Sequence, residues 1–211
     1  PFFVMDPKHT VHLFTGSKIG FPGPRVGFFY SEANLKISGG KEVSIAELAL
    51  TESSSDILFQ NPASLRGFES MLHDEDFNEL QSMWPLAEVK LAVYRENRSI
   101  MLEVLERELG TYTDQFKWTK PEAGFFSVFT INVPGVKTDD EFVEKLVADY
   151  GVVVIPMYDF YPADAKERNP FIGFDQLRLS FCFSESLGEE RRQDLREAVE
   201  AFCNAMKELI S

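Results

Sequence analysis

Apolar residues along this chain change their spacing several times, and each change marks an element. Short apolar runs at 11–14 (VHLF) and 25–31 (RVGFFYS) predict two buried strands separated by a Pro/Gly-rich loop. Residues 44–56 and 61–73 predict two helical pieces, the second opened by Asn61 as a cap and Pro62 in the first turn. From Asp76 to Leu109 a helical spacing runs long. Leu91, Tyr94, Met101, Leu105 and Leu109 recur at three-, four- or seven-residue steps, and Pro85 is expected to kink or split the helix. After Gly110 the period changes. FKWT and GFFSVFTINV predict strands, the second closed by Pro134-Gly135, and DDEFVEKLVADY predicts a short amphipathic helix stopped by Gly151. VVVIP and LRLSFCFS predict two more strands, the first buried, and Glu189 to Ile210 predicts a helix with Leu195, Val199, Phe202, Met206 and Leu209 on one face. Alternation of helices and strands places the chain in the α/β or α+β class. A soft boundary near residues 73–76 separates residues 1-74, a strand–loop–strand–helix piece of a sheet, from residues 75-211, a compact unit opened by the long helix.

Composition narrows the function classes. The 211 residues are 44% hydrophobic and 26% charged, which suits a folded domain with a sizeable core. A formal net charge of −13 argues against nucleic acid, because phosphate backbones need a basic surface. Any anion site must therefore be built locally, from a few cations and backbone N–H groups. Cys182 and Cys203 carry no metal spacing and read as buried free thiols of a cytoplasmic protein. His9, His12 and His73 are scattered, so no metal site is expected, and His12 reads as a strand residue. No apolar run approaches the ~18 residues of a membrane span, and PFFVMDPKHT lacks the basic region and cleavage site of a signal peptide. The missing initial Met suggests a chain that begins inside a longer protein.

The loop between the first two strands, FTGSKIGFPGPRVGFFYS, carries the most chemistry. Lys18 and Arg25 lie seven residues apart, Thr15 precedes the lysine by three, and Pro22 and Pro24 stiffen the segment between the cations. A lysine whose amine is made neutral by burial or a nearby cation attacks carbonyls, and a guanidinium with a hydroxyl binds phosphate. Gly16, Gly20 and Gly23 permit close approach of a ligand to the backbone. The glycine spacing is neither that of a Walker A loop nor that of a dinucleotide fingerprint. An amine beside an anion cup is the set that a phosphorylated aldehyde requires; a solvated turn is the plain structural alternative.

This string resembles the cofactor-lysine segment of the pyridoxal-phosphate-dependent aminotransferases of fold type I, class I/II. There a Ser/Thr-x-x-Lys element precedes Pro-Gly-x-Arg-x-Gly; here TGSK precedes PGPRVG. The spacing from Lys18 to Arg25 is similar to that of the aminoadipate and valine–pyruvate aminotransferase branch. KPEAGFFSVFTINVP resembles the family's Pro-x-Gly-Gly-Phe-Phe strand with Ala123 for the first glycine, and VVVIPMYDFYP its Val-x-Val-x-Pro-Gly-x-x-Phe turn with Met157 for the glycine. LRLSFCF resembles the strand that carries the substrate-carboxylate arginine, at Arg178.

The resemblance implies an α/β fold of type I, comprising a remnant of the large cofactor-domain sheet in 1-74 and an α/β small domain in 75-211. It implies pyridoxal 5'-phosphate as cofactor, with Lys18 forming the internal aldimine and transferring protons, Thr15 and Arg25 holding the phosphate, and Arg178 holding the substrate α-carboxylate. It implies transamination between an amino acid and a 2-oxo acid by a cytoplasmic homodimer, with no nucleic-acid or membrane partner. Ser53, Ser54 and Ser55 stand where some family members send a hydroxyl to the neighbouring subunit's phosphate; a turn or cap is the alternative. Tyr158 and Tyr161 either line the substrate mouth or pack, and residues 161–173 read as a surface loop. Family members are about twice as long, and the residues that hold the cofactor ring have no counterpart here. The expectation is a C-terminal half whose missing partner strands would leave apolar surface exposed. Two alternatives stay open: a lyase or decarboxylase built on the same lysine loop, and a non-catalytic module that keeps the fold as an interaction surface.

Overall fold

The computed structural model describes residues 2–18, 22–56, 61–182 and 187–211. The chain forms two compact units, Pro1–Glu88 and Val89–Ser211. In the first, α1 (Phe2–Met5) leads into β1 (Val11–Thr15), which pairs antiparallel with β2 (Gly27–Ser31) in the register Val11↔Ser31 to Thr15↔Gly27. A second hairpin joins β3 (Asn34–Lys36) to β4 (Glu42–Ser44), and α2 (Ile45–Asp56) and α3 (Pro62–Ser70) follow. Asn61 caps α3 as its sequence signals: its side-chain oxygen accepts from the Ala63 and Ser64 N–H groups, and Pro62 takes the position whose N–H needs no partner.

The two strands around the loop form where expected but are largely exposed rather than buried. Alternation sends His12, Phe14, Phe28 and Tyr30 to one side, where Phe14 and Phe28 meet Phe68 of α3 edge-on. Val11, Leu13 and Phe29 fall on the other side, and Leu13 is 76% exposed. A two-stranded ribbon has two faces, and the ring contacts with α3 lie on one of them, so its apolar content exceeds what it buries.

The second unit holds most of the core. The helix α4 runs unbroken over Trp84–Leu109, shorter than the pattern from Asp76 predicts. Pro85 does not split it, because it sits in the first turn, where the absent N–H costs nothing. Four antiparallel strands follow in the order β5 (Phe116–Trp118), β6 (Phe126–Ile131), β8 (Gln176–Ser180), β7 (Ile155–Pro156). Between them lie α5 (Asp140–Tyr150) and α6 (Ala163–Arg168), and α7 (Gly188–Glu208) ends the unit. Asp139 caps α5 through the Phe142 N–H, and Gly151 stops it at φ 68°. The segment 161–173, expected as a loop, contains α6.

Alternation along β6 and β8 decides what faces the core. Phe129, Ile131, Leu177 and Leu179 are buried among Phe116, Phe202, Leu105 and Met206 of the flanking strand and helices. Phe126, Val128, Gln176 and Arg178 take the opposite face. VVVIP is not the continuous buried strand its composition suggests: Val152 and Val154 are buried, Val153 is 78% exposed, and only Ile155 and Pro156 pair, at the sheet edge. Ion pairs lace α4 to α7, with Glu96 bound by Arg191 and Arg192, and Glu108 by Lys207. Cys203 is buried as expected, whereas Cys182 is only half-buried.

Candidate functional site

β1 and β2 hold the ends of the loop, and the Gly16 N–H donates to the Val26 carbonyl at 2.9 Å to close its base. Gly16 is a tight fit there: a Cβ would stand 3.0 Å from the Phe68 ring, which would have to give by a few tenths of an ångström. The next residues, Gly16–Lys18, make one 3-10 turn, which places Lys18 at its end on the exposed side. Thr15, Ser17 and Arg25 are brought together by a chain of hydrogen bonds. The Ser17 N–H donates to Thr15 Oγ1 at 3.2 Å, and Arg25 Nη1 donates to Ser17 Oγ at 3.2 Å and to the Pro22 carbonyl at 3.4 Å. Arg25 adopts φ 58°, a left-handed conformation rare for a residue with a Cβ, and its side chain reaches back across the loop from there. No carboxylate lies within ion-pair distance of Arg25 among the described residues.

The donor set is therefore two hydroxyls, a guanidinium and, one residue along the same turn, an amine. That chemistry fits a phosphate carrying an aldehyde. Ser17 is not singled out by the family spacing, which points to the residue three before the lysine; its adjacency to Lys18 is the signal the sequence offers. Beside Arg25 a groove of about 420 Å³ is walled by Asn61 and Ser64 from the first turn of α3. Ile19, Gly20 and Phe21 lie outside the described residues.

Arg178 belongs to the second unit. It is the third residue of β8, opposite Val128 of β6 and Ile155 of β7. Its guanidinium carbon lies 4.2 Å from the Phe126 ring centroid and 4.4 Å from that of Phe160. Arg107, Arg168, Arg191, Arg192 and Arg196 of the same unit all pair with carboxylates; among the described residues Arg178 does not. Among the described residues Arg178 thus does not form the surface ion pair usual for an arginine on a strand.

The turn bearing Phe160 is anchored on several sides. The Met157 N–H donates to the Gln176 carbonyl at 2.9 Å, and the Tyr161 hydroxyl donates to Gln176 Oε1 at 2.8 Å. Tyr158 stacks on Phe174 with centroids 4.5 Å apart, and its hydroxyl donates to Asp140 at 2.7 Å. Both tyrosines are packed within the unit, Tyr158 on Phe174 and Tyr161 beside Gly173. The Asp140 hydrogen bond pushes the Tyr158 hydroxyl up to about 12, so it stays protonated at neutral pH. Gly173, at φ 81°, leaves no room for a side chain: a Cβ would stand 2.7 Å from the Tyr161 ring.

Ser53–Ser55 lie within α2, neither in a turn nor at a cap, and the Ser55 hydroxyl donates back to the Thr51 carbonyl at 3.0 Å. His12 is a strand residue, and no cluster of His, Cys, Asp or Glu among the described residues could hold a metal. No helix among them is long and apolar enough to cross a membrane.

The sequence matches the family described as aminotransferase class I and II over residues 1–186. Solved structures agree with the fold. The α-aminoadipate aminotransferase LysN of Thermus thermophilus, complexed with N-(5'-phosphopyridoxyl)-L-leucine, is 20% identical, with a TM-score of 0.65 over 95% of this chain and 42% of that one. The aromatic aminotransferase of Pyrococcus horikoshii is 19% identical, with a TM-score of 0.68 over 96% of this chain and 44% of that one. The multiple substrate aminotransferase of Thermococcus profundus is 24% identical, with a TM-score of 0.62 over 95% and 41%. No curated protein matches the sequence. The chain spans about two fifths of the length of these structures. Its fold is that of the fold type I aminotransferases, in part, and the chain belongs to the aminotransferase class I and II family.

Proposed function

We propose that this chain supplies the lysine loop and the carboxylate arginine of a pyridoxal-phosphate-dependent aminotransferase, which moves an amino group from an amino acid to a 2-oxo acid. Residues 1-74 are the C-terminal part of the large cofactor-binding domain and residues 75-211 the small domain. The observation that carries the reading is the hydrogen-bonded cluster of Thr15, Ser17 and Arg25 beside Lys18, inside a segment that matches the family. When bound, pyridoxal phosphate supplies a reactive carbonyl carbon and a ring that stores the electrons released at the substrate α-carbon. Thr15, Ser17 and Arg25 hold its phosphate by charge-assisted hydrogen bonds. Lys18 Nζ would hold the cofactor covalently and would serve as the base that carries the substrate α-carbon's proton. Arg178 would hold the substrate by its carboxylate in one orientation. The working enzyme is a cytoplasmic homodimer with amino-acid and 2-oxo-acid substrates.

The test is chemical trapping. The chain is mixed with pyridoxal phosphate, reduced with borohydride and mapped by peptide mass spectrometry. The expected result is an adduct on Lys18 that disappears in Lys18→Ala and falls in yield in Arg25→Ala. Labelling spread evenly over the surface lysines, untouched by Arg25→Ala, would sink the assignment.

A further inference from the structure

We propose that Phe126 and Phe160 are positioning residues that clamp Arg178 for edge-on capture of a planar carboxylate. The inference rests on the reading of Arg178 given under Proposed function. A guanidinium offers two faces to aromatic rings and its N–H groups in the plane between them. Here rings stand over it at 4.2 Å and 4.4 Å, both inside the range of a cation–π contact. Ring contacts of this kind engage the flat of the guanidinium and leave the N–H groups at its edge, which suits the two-pronged geometry of an arginine–carboxylate pair.

Charge distribution gives the clamp its purpose. The chain carries 34 acidic residues, yet none of those described neutralises this arginine. Two rings hold the cation without consuming a hydrogen-bond donor, which an aspartate or glutamate in their place would do. Phe126 is set by the register of β6, diagonal to Arg178 across the ladder. Phe160 is set by a turn that Gln176, two residues before Arg178, grips twice. Ring and guanidinium are thus referenced to the same strand, and the side-chain freedom of a long arginine is spent before the ligand arrives. Phe160 is 50% exposed, so the unit gains little from it as a core residue.

The experiment follows the Nε–Hε NMR signal of Arg178, assigned by its loss in Arg178→Lys, as isovalerate is added to the full chain. Isovalerate has a carboxylate but neither an amino nor an oxo group, so it reports on Arg178 independently of cofactor loading or turnover. Saturable movement of the signal is expected in the wild type. Phe160→Leu should weaken binding about 2–5-fold, the worth of one ring at a partly exposed site, and Phe160→Trp should restore it. Phe126→Leu should weaken it similarly, with circular dichroism checking that the sheet is intact. Equal affinity in wild type and Phe160→Leu overturns the clamp and leaves Arg178 as the carboxylate site. An Arg178 signal that does not respond to isovalerate in the wild type overturns both.

Discussion

Single residues carry visible strain at two places, and the two differ in what the strain serves. Arg25 at φ 58° has a side chain bonded into the loop, so its backbone cost is matched by contacts to Ser17 and Pro22. Phe77 at φ 63° is 86% exposed and offers no such return. The turn around it is held by neighbours: the Asp74 carboxylate accepts from the Asp76 and Asn78 N–H groups at 3.0 and 2.9 Å, and His73 bridges to Glu79. A residue with a Cβ in this conformation costs roughly 1–2 kcal/mol. Phe77→Gly should therefore stabilise the chain by about 1 kcal/mol, less the entropy glycine returns to the unfolded state. Chemical denaturation measures it; a loss of stability would mean the ring packs. Residues of this kind are illegible in sequence, because φ is a property of the folded turn. Thr15, Lys18 and Arg25 can be picked out together from their spacing in a stiff loop. Ser17 and Phe160 cannot be given a role that way, since the link to Arg25 and the stack on Arg178 exist only once the loop and the turn have closed.

At the scale of elements, helices with explicit ends are legible and weakly bounded ones are not. Asn61-Pro62, Asp139 and Gly151 place their caps because each satisfies or removes an orphan backbone group. Pro85 carries the same information but reads as an interruption, since the pattern upstream of it mimics helical spacing without forming one. Between elements, the seam of α4 and α7 shows what single-chain periodicity conceals. Glu108 is held below the usual glutamate range by hydrogen bonds from Lys207 and Arg107, and Glu96 by Arg192 and Arg191. A depressed carboxyl contributes stability above its unfolded value of about 4.5, and that contribution fades as pH falls through the lower folded value. Glu108→Gln should cost up to about 1 kcal/mol at pH 7 and almost nothing at a pH low enough to protonate the carboxyl in both states. Thermal melts of the two proteins across that window should converge towards acid. Parallel curves would mean the glutamate acts through packing and not through its charge.

For the molecule as a whole, two opposing surface properties coexist. A net charge of −13 favours solubility by mutual repulsion, while the ribbon of β1 and β2 displays Val11, Leu13 and Phe29 on the side away from Phe68, where all three are exposed. The hydrophobic pattern predicts buried strands here, while the resemblance to a longer family implies missing partner strands and exposed apolar surface, and the two expectations conflict unless the ribbon's faces are treated separately. Alternation separates them: Phe14 and Phe28 meet Phe68, whereas Leu13 lies directly opposite Phe29 with 76% of its surface in solvent. A leucine that buries little should tolerate charge. Leu13→Lys is expected to leave stability unchanged within about 0.5 kcal/mol, as for an ordinary surface position, while lowering the binding of a hydrophobic dye and the tendency to aggregate. The control is Phe68→Ala under the same ribbon, where a ring 3% exposed is removed and a loss of about 3–5 kcal/mol is expected. If Leu13→Lys were as damaging as Phe68→Ala, both faces of the ribbon would have to be packed, and the apolar surplus of the first unit would be core. If only Phe68→Ala is damaging, the face of Val11, Leu13 and Phe29 is surface in this chain, and its hydrophobicity is available to whatever else the strands pair or pack with.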